Sequence, residues 1–144
     1  GSYIPYFFAA INNALSRGAS RLYLQAFDIG IAEWRVISML AIEPRIPAQR
    51  ICEVIFLDKA ATSRSLSRLR ELGYLEFKAS DRDNRRKIWW LNARGYGLHD
   101  KILAVALERE RNLIQGVEPD DLEVFLKVMR MMRQNVDRLG GEDV

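Results

Sequence analysis

One pair of short alternating segments interrupts a chain whose apolar residues otherwise recur at helical spacing. Residues 74–78 and 87–91 alternate apolar and polar side chains in whole or in part, and residues 80–85 between them are charged or turn-forming. Alternation with a period of two is typical of a β-strand with one exposed face, so these segments predict a β-hairpin. The expected fold class is therefore mainly α with one small β-hairpin.

Six helices are predicted around the hairpin from apolar spacing and from residues that begin or end helices. Asp58 and Asn92 are residue types that cap helix N-termini, and Gly73 is typical of the position just after a helix ends. Pro119 is favoured in a first helical turn. The predicted helices span residues 4–27, 32–40, 48–54, 59–72, 93–115 and 119–139.

The positive charge of the chain is concentrated in one stretch. Residues 59–94 contain ten basic and four acidic residues, a local net charge of +6, whereas the whole 144-residue chain has a formal net charge of +3. Clustered Lys and Arg side chains are typical of surfaces that bind phosphate groups. A solvated charged face is the alternative interpretation, and the shape beneath the charges has to distinguish the two.

Composition excludes several other classes of protein. Hydrophobic residues make up 49% of the chain, which is too many for a disordered protein. One Cys and one His argue against a disulfide scaffold and a Cys- or His-rich metal site, so neither a metal nor a cofactor is expected. We find no nucleophile–base set, glycine-rich phosphate loop or pair of catalytic acids in the sequence, so an enzyme is not expected.

The sequence also predicts where the protein acts. No apolar run approaches the roughly 20 residues that span a bilayer, so no membrane partner is expected. The leading Gly-Ser pair is interpreted as a cloning remnant, and no signal peptide is visible. A cytoplasmic location is therefore expected.

The shape beneath the basic stretch is that of a helix-turn-helix. A short helix over residues 48–54, a tight connector and a second helix that opens with Thr62, Ser63 and Arg64 follow this pattern. The major groove of DNA is about 12 Å wide and admits one helix, whose N-terminal residues reach the base edges. An Arg-rich hairpin beside that helix can reach the adjacent minor groove. The sequence therefore predicts a protein that binds double-stranded DNA.

At these residues the chain resembles the MarR family of winged helix-turn-helix transcriptional regulators. The wing signature of that family is Asp-x-Arg, five residues, Leu-Thr and a Gly three residues further on. Here it is Asp83-Asn84-Arg85, then Leu91-Asn92 and Gly95. Asn replaces Thr in this signature, but Asn caps a helix equally well. Residues 69–75 and 33–36 are similar to the family's helix-to-wing junction and to the start of its second helix.

The resemblance implies a winged helix-turn-helix fold with N- and C-terminal dimerisation helices. It assigns residues 3–31 and 93–140 to a helical dimerisation region and residues 32–92 to the DNA-binding lobe. The sequence supports a dimer independently, because the apolar stripes of the terminal helices exceed what one small lobe can cover. A twofold homodimer presents two recognition helices about one turn of DNA apart, so a near-palindromic operator is expected.

The resemblance also implies which side chains contact DNA. Arg85 is expected to enter the minor groove, oriented by Asp83, and a solvated ion pair in a turn is the alternative. The division of the other residues between base and phosphate contacts is left open. The residues expected to contact DNA are Thr62, Ser63, Arg64, Ser67, Arg68, Asp83, Arg85, Arg86 and Lys87.

Members of this family often bind small aromatic acids between the dimerisation helices and the DNA-binding lobe. The residues expected to bind such an effector are Phe8, Asn12, Asn13, Ser16, Arg17, Trp34 and His99. An Arg beside aromatic rings suits an aromatic carboxylate. An ion pair at the surface or between subunits is an equal alternative for Arg17, and a structural role is the alternative for His99.

The function expected is that of a sequence-specific transcriptional regulator, a repressor released by a small aromatic carboxylate or its thioester. The alternative is a winged-helix protein that acts in architecture or protein–protein contact without an effector. Cys52 is expected to be a small buried hydrophobe. Since the first helix contains no Cys, unlike that of the peroxide-sensing branch of the family, thiol sensing is not expected.

Overall fold

The structure is a computed structural model that describes residues 1–142. Its elements, in chain order, are α1 (Ile4–Phe27), α2 (Ile31–Ile42), α3 (Ala48–Ile55), α4 (Lys59–Glu71), β1 (Leu75–Ala79), β2 (Lys87–Leu91), α5 (Ala93–Leu113) and α6 (Pro119–Glu142). The strands form one antiparallel hairpin. The predicted fold class is therefore confirmed, and the bounds of the elements lie within a few residues of the predicted ones.

The connection between α1 and α2 is a tight, hydrogen-bonded turn. Asp28 follows α1 in the left-handed conformation, with φ of 57°, and its N–H donates to the carbonyl of Leu24 at 3.1 Å. Two residues later, the N–H of Gly30 donates to Oε1 of Glu33 at 2.7 Å. Because this bond completes a cap, the Glu33 side chain is held at the N-terminus of α2.

The wing consists of β1, β2 and the turn of residues 80–86 between them. Phe77 lies opposite Trp89 in the antiparallel register. Ile46 forms a further bridge to β2, in which the N–H of Trp89 donates to the Ile46 carbonyl at 3.0 Å. The connector between α2 and α3 therefore lies against the wing. Trp89 is buried and Trp90 is half-buried, as the alternation in β2 predicts.

The core lies between α2, α3, α4 and the wing, each of which contributes fully buried apolar side chains. These include Ile37, Leu40, Ile51, Leu66, Leu69 and Leu75. Removing such surface from water stabilises the fold by roughly 25 cal/mol per Å². The same packing fixes the orientation of α4, because three elements hold its inner face.

Asn92 joins the wing to α5, as predicted for a capping residue. Its Oδ1 accepts the N–H of Gly95 at 2.9 Å, and its Nδ2 donates to the carbonyl of Gly73 at 2.9 Å. A Cβ at Gly95 would overlap the backbone oxygen of Tyr74. The glycine of the wing signature is therefore explained by the close approach of α5 to the start of the hairpin.

The chain divides into two compact units, residues 1–107 and 108–144. The first unit contains α1 to β2 and most of α5, and the second contains the end of α5 and α6. The predicted grouping of residues 3–31 with 93–140 concerns contacts within a dimer, so it stays a prediction.

Each unit exposes large apolar side chains along one helix. At the start of α1 they are Tyr3, Ile4, Tyr6, Phe7, Phe8 and Ile11. On α6 they are Val124, Phe125, Leu126, Val128, Met131, Val136 and Leu139. Contiguous exposed apolar surface is typical of interaction sites. Within residues 1–142, no helix is both long enough and apolar enough to cross a membrane.

Candidate nucleic-acid interface

α3 and α4 form a helix-turn-helix with a three-residue connector. α3 ends at Ile55 and is followed by Phe56, which adopts the left-handed conformation with φ of 55°, and α4 begins directly after Asp58. The Asp58 carboxylate accepts the N–H of Ala61 at 2.7 Å. Such a cap satisfies one of the free N–H groups at the start of the helix, and its negative charge interacts favourably with the helix dipole. The predicted role of Asp58 as N-cap is confirmed.

The two faces of α4 differ sharply in burial. Thr62, Leu66 and Leu69 are buried with the core, at the spacing of four and three that places them on one stripe. Ser63, Arg64 and Ser67 are exposed on the other side of the helix. The exposed side chains are polar, and they are either small, as in serine, or long, as in arginine. Such side chains can approach base edges or phosphates.

Thr62 does not lie on the exposed face, and its predicted position there is wrong. Its side chain is fully buried, and among the described residues its Oγ1 is the one buried side-chain oxygen or nitrogen without a hydrogen-bond partner. The signal was present in the sequence, because Thr62 precedes Leu66 by four residues and Leu69 by seven. Helical spacing outweighs the polar character of the residue here.

Arg68 also has partners within the protein. Its Nη1 donates to Oε1 and Oε2 of Glu33 at 2.7 and 2.8 Å and to the carbonyl of Asp28 at 2.9 Å, and its Nη2 donates to Oδ2 of Asp28 at 3.0 Å. The hydrogen bond to Glu33 is the main cause that raises the pKa of the Arg68 guanidinium. We call this cluster the α1–α2–α4 joint, since it ties α4 to the turn between α1 and α2.

The wing turn is closed by Asp83, which makes three contacts with Arg85 and Arg86. Its Oδ1 accepts the backbone N–H of Arg85 at 3.0 Å, and its carbonyl accepts the N–H of Arg86 at 2.9 Å. The Nε of Arg86 lies 3.9 Å from Oδ2 of Asp83. Asp83 therefore orients the backbone of Arg85, and the exposed guanidinium of Arg85 extends from a fixed turn.

A groove of about 490 Å³ runs between α4 and the wing. Five of the nine residues predicted to contact DNA line it, namely Ser63, Ser67, Arg85, Arg86 and Lys87. Leu66 and Trp89 contribute apolar lining, while Gln49 and Lys59 add polar groups that sequence reasoning did not select. Lys59 could have been found from its place in the first turn of α4. We call this the α4–wing groove.

The remaining predicted residues lie elsewhere. Arg64 and Arg68 line a shallow depression beside the N-terminus of α2, and Arg64 is exposed there. Asp83 lines a different groove on the wing, together with Arg86. The structure thus brings most of the predicted side chains to one basic surface of α4 and the wing, and it separates Thr62 from that surface.

The predicted effector residues are brought together only in part. Trp34 and His99 stack with ring centroids 5.6 Å apart, and Tyr23 meets Trp34 edge to face at 6.1 Å. The Nδ1 of His99 also lies 3.1 Å from Oδ1 of Asp100. Tyr23 was not selected from the sequence. We call Tyr23, Trp34 and His99 the aromatic cluster.

The predicted effector residues on α1 do not join this cluster by any ring contact in the part of the chain that is described. Phe8, Asn12, Asn13 and Arg17 are exposed, and Ser16 is half-buried. Cys52 is half-buried in α3 rather than fully buried. Groups of three or more residues suited to hold a metal ion are absent from residues 1–142.

Comparison with known proteins identifies the fold and the family. A sequence model of the MarR family matches residues 27–86, from the end of α1 to the wing turn. The crystal structure of a MarR/EmrR family transcriptional regulator from Acinetobacter sp. ADP1 is 30% identical in sequence and superposes with a TM-score of 0.85. The alignment covers 94% of this chain and 95% of that one. The chain belongs to the MarR family.

Two further solved structures have the same MarR fold at lower identity. A MarR family transcriptional regulator from Silicibacter pomeroyi is 20% identical, with a TM-score of 0.82 over 93% of this chain and 90% of that one. A mutant MarR from Escherichia coli complexed with operator DNA is 19% identical, with a TM-score of 0.79 over 90% and 92% of the two chains. No curated protein sequence shows a significant match. As a MarR family member, the chain has the winged-helix fold of transcriptional regulators.

Proposed function

We propose that this MarR-family protein is a homodimeric regulator that binds double-stranded DNA through α4 and the wing. The observation that carries the proposal is the α4–wing groove, where Ser63 and Ser67 on α4 face Arg85, Arg86 and Lys87 on the wing. The structural likeness to a MarR complexed with operator DNA supports it. Phosphate contacts from the basic residues position the protein, whereas the exposed face of α4 reads the sequence.

The proposal assigns different grooves of the duplex to the two elements. α4 enters the major groove, where Ser63, Arg64 and Ser67 reach base edges or nearby phosphates. Arg85 enters the adjacent minor groove, because a guanidinium responds to the negative potential of a narrow groove. The hydrogen bond from the Arg85 N–H to Asp83 supports this role, since it fixes the turn from which the side chain extends.

The proposed dimer uses the apolar surfaces of α1 and α6. Phe7, Phe8 and Ile11 on α1 and Val124 and Phe125 on α6 are exposed in the single chain. A second copy that covers them would remove apolar area from water, which is the main driving force for association. Residues 3–31 and 93–140 form the dimerisation region in this proposal, and residues 32–92 form the DNA-binding lobe. Twofold symmetry then requires a near-palindromic operator.

We further propose repression that a small aromatic carboxylate or its thioester relieves. The stacked and half-buried rings of Trp34 and His99, with the buried Tyr23 at the edge of Trp34, provide an aromatic wall that supports this effector class. Arg17 is the cation assigned to the carboxylate. Such an effector acts only through a difference in affinity between the DNA-bound and free conformations. A panel of aromatic acids that leaves the protein–DNA complex unchanged at millimolar concentration would contradict this part.

The DNA-binding proposal is tested by selection and titration. A 30-bp duplex selected from a random pool by the wild-type protein should bind at least about 10³-fold more tightly than an unselected duplex of the same length. Arg85→Ala should weaken binding to the selected duplex, while its thermal unfolding matches that of the wild type. Equal binding to selected and unselected duplexes would instead favour an architectural winged-helix protein.

A further inference from the structure

The wing carries a second basic groove, which shares Pro47 and Arg86 with the α4–wing groove. This groove, of about 380 Å³, is lined by Arg45, Arg82, Arg86 and Ile88, among others. In β2, Lys87 and Trp89 line the α4–wing groove, whereas Ile88 lines the second one. Because alternate residues of a strand point to opposite faces, the two grooves flank the wing on its two sides.

Arg45 is held rigidly at this second groove. It lies in the connector between α2 and α3 with φ of 61°, and its N–H donates to the carbonyl of Trp89 at 2.9 Å. Its guanidinium carbon lies 4.4 Å from the centroid of the Trp90 ring. Backbone pairing and the ring contact together restrict the side chain, so less entropy is lost when the guanidinium binds a ligand.

The charge of the second groove is largely uncompensated. Within residues 1–142, no ion pair is found for the guanidinium of Arg45 or of Arg82. Asp83, the one acidic residue that lines the groove, already accepts the N–H of Arg85 and faces Arg86. Three arginines around one engaged carboxylate favour an anion, and a planar guanidinium binds phosphate oxygens in a bidentate manner.

We propose that this second groove binds the DNA backbone on the side of the minor groove that lies away from α4, with Arg45 and Arg82 as the phosphate ligands. This inference rests on the proposed function. The minor groove is about 6 Å wide and is bounded by two phosphate strands. A wing that enters it meets one strand on each flank. Lys87 in the α4–wing groove faces one strand, and Arg45 and Arg82 face the other.

The test compares single charge removals on the selected duplex. Arg45→Gln and Arg82→Gln should each weaken binding about tenfold. Log affinity falls as log salt concentration rises, and each variant should make this slope less steep by about 0.9, the value for one lost phosphate contact. The sequence preference should not change, because phosphate contacts carry no base information. Arg70→Gln removes the same charge from the exposed C-terminal end of α4, outside both grooves, and should leave the slope unchanged.

Neutral methylphosphonates placed one at a time in the selected duplex identify the contacted phosphate. At one position, the wild type should lose affinity while Arg45→Gln loses none, since the contact is already gone. The proposal is overturned if Arg45→Gln and Arg82→Gln behave like Arg70→Gln while Arg85→Gln weakens binding, and the proposed function then stands. It is also overturned if Arg45→Gln changes the sequence preference. If the wild type shows no sequence preference at all, the proposed function fails as well.

Discussion

Arg64 and Arg68 lie one turn apart on α4 and line the same depression beside α2, yet their side chains have different surroundings. Arg64 is on the exposed face with Ser63 and Ser67, whereas Arg68 is in the α1–α2–α4 joint, bound to Glu33 and Asp28. Arginine therefore has two different roles on one helix. The exposed region is free to contact DNA, and the joint determines where that region lies. Variants that remove one arginine at a time separate these two tasks.

Breaking the joint should cost the most. In Arg68→Ala, the carboxylate of Glu33, whose side chain is only 11% exposed, loses its cation, so we expect the free energy of unfolding to fall by about 3 kcal/mol. This loss is at the low end for a buried pair because the Arg68 side chain is 38% exposed and is partly screened by solvent. Affinity for the selected duplex should fall too, since α4 loses one of its anchors. Urea unfolding and DNA titration measure the two effects.

A second variant separates the charge of Glu33 from its capping role. Glu33→Gln keeps an oxygen that can accept the N–H of Gly30 but removes the negative charge. It should lose less stability than Arg68→Ala, because no buried charge is left unpaired. A stability of Arg68→Ala equal to that of the wild type would show that the joint does not position α4.

Removing Arg64 should give the reverse pattern. Arg64→Ala is expected to lower binding to the selected duplex by about 2 kcal/mol, or about 30-fold, with a stability change below about 0.5 kcal/mol. The side chain is exposed, so nothing buried is left without a partner. Binding to duplexes changed at single base pairs distinguishes a base contact, which relaxes specificity at one position, from a phosphate contact, which weakens all duplexes equally. A loss of stability comparable to that of Arg68→Ala would remove the distinction between the two regions.

The contrast also explains what could be predicted from the sequence. Helix ends were predictable at Asp58 and Asn92, because capping depends on residues within three positions. The joint was not, since Arg68 meets Glu33 and Asp28 at separations of 35 and 40 residues, and a polar helix face gives no sign of such partners. The apolar faces of α1 and α6 were predictable, because their apolar stripes exceed what one small lobe can cover, but a single chain does not show what covers them.

The two basic grooves also differ in how far they could be predicted from the sequence. The α4–wing groove was largely predictable, because its arginines and serines belong to recognisable motifs in α4 and the wing. Arg45 was missed, because its place beside the wing depends on the pairing of Ile46 with Trp89, which lies 43 residues further along the chain. The position of a residue that depends on pairing with a distant part of the chain is found only from the structure, whereas a position fixed by a local motif can be predicted from the sequence.

Thr62 provides a smaller test of the inner face of α4. Thr62→Val replaces a fully buried hydroxyl that has no hydrogen-bond partner by a methyl group of similar size. We expect the free energy of unfolding to rise by about 1 kcal/mol, since the desolvation cost of an unpaired hydroxyl is removed. Affinity for the selected duplex should be unchanged. A loss of affinity without a loss of stability would return Thr62 to the DNA-contacting set.

The smallest effect is expected at a second arginine–glutamate pair, which serves as an exposed reference for the joint. Arg50 donates to both oxygens of Glu43, at 2.7 and 3.2 Å, and the two side chains are 47% and 39% exposed. The hydrogen bond from Arg50 lowers the pKa of Glu43 below its ordinary value of 4.5. A lowered carboxyl pKa stabilises the fold above the unfolded-state pKa, and this contribution is lost as the pH falls through the folded-state pKa.

Arg50→Ala should therefore lower the Tm slightly at pH 7, and the difference from the wild type should shrink as the pH falls below about 4.5. Thermal unfolding of both proteins across this pH range measures it, and salt should reduce the difference at pH 7 because the pair is exposed. If Arg50→Ala instead lost as much stability as Arg68→Ala, burial of the glutamate would not be what distinguishes the joint.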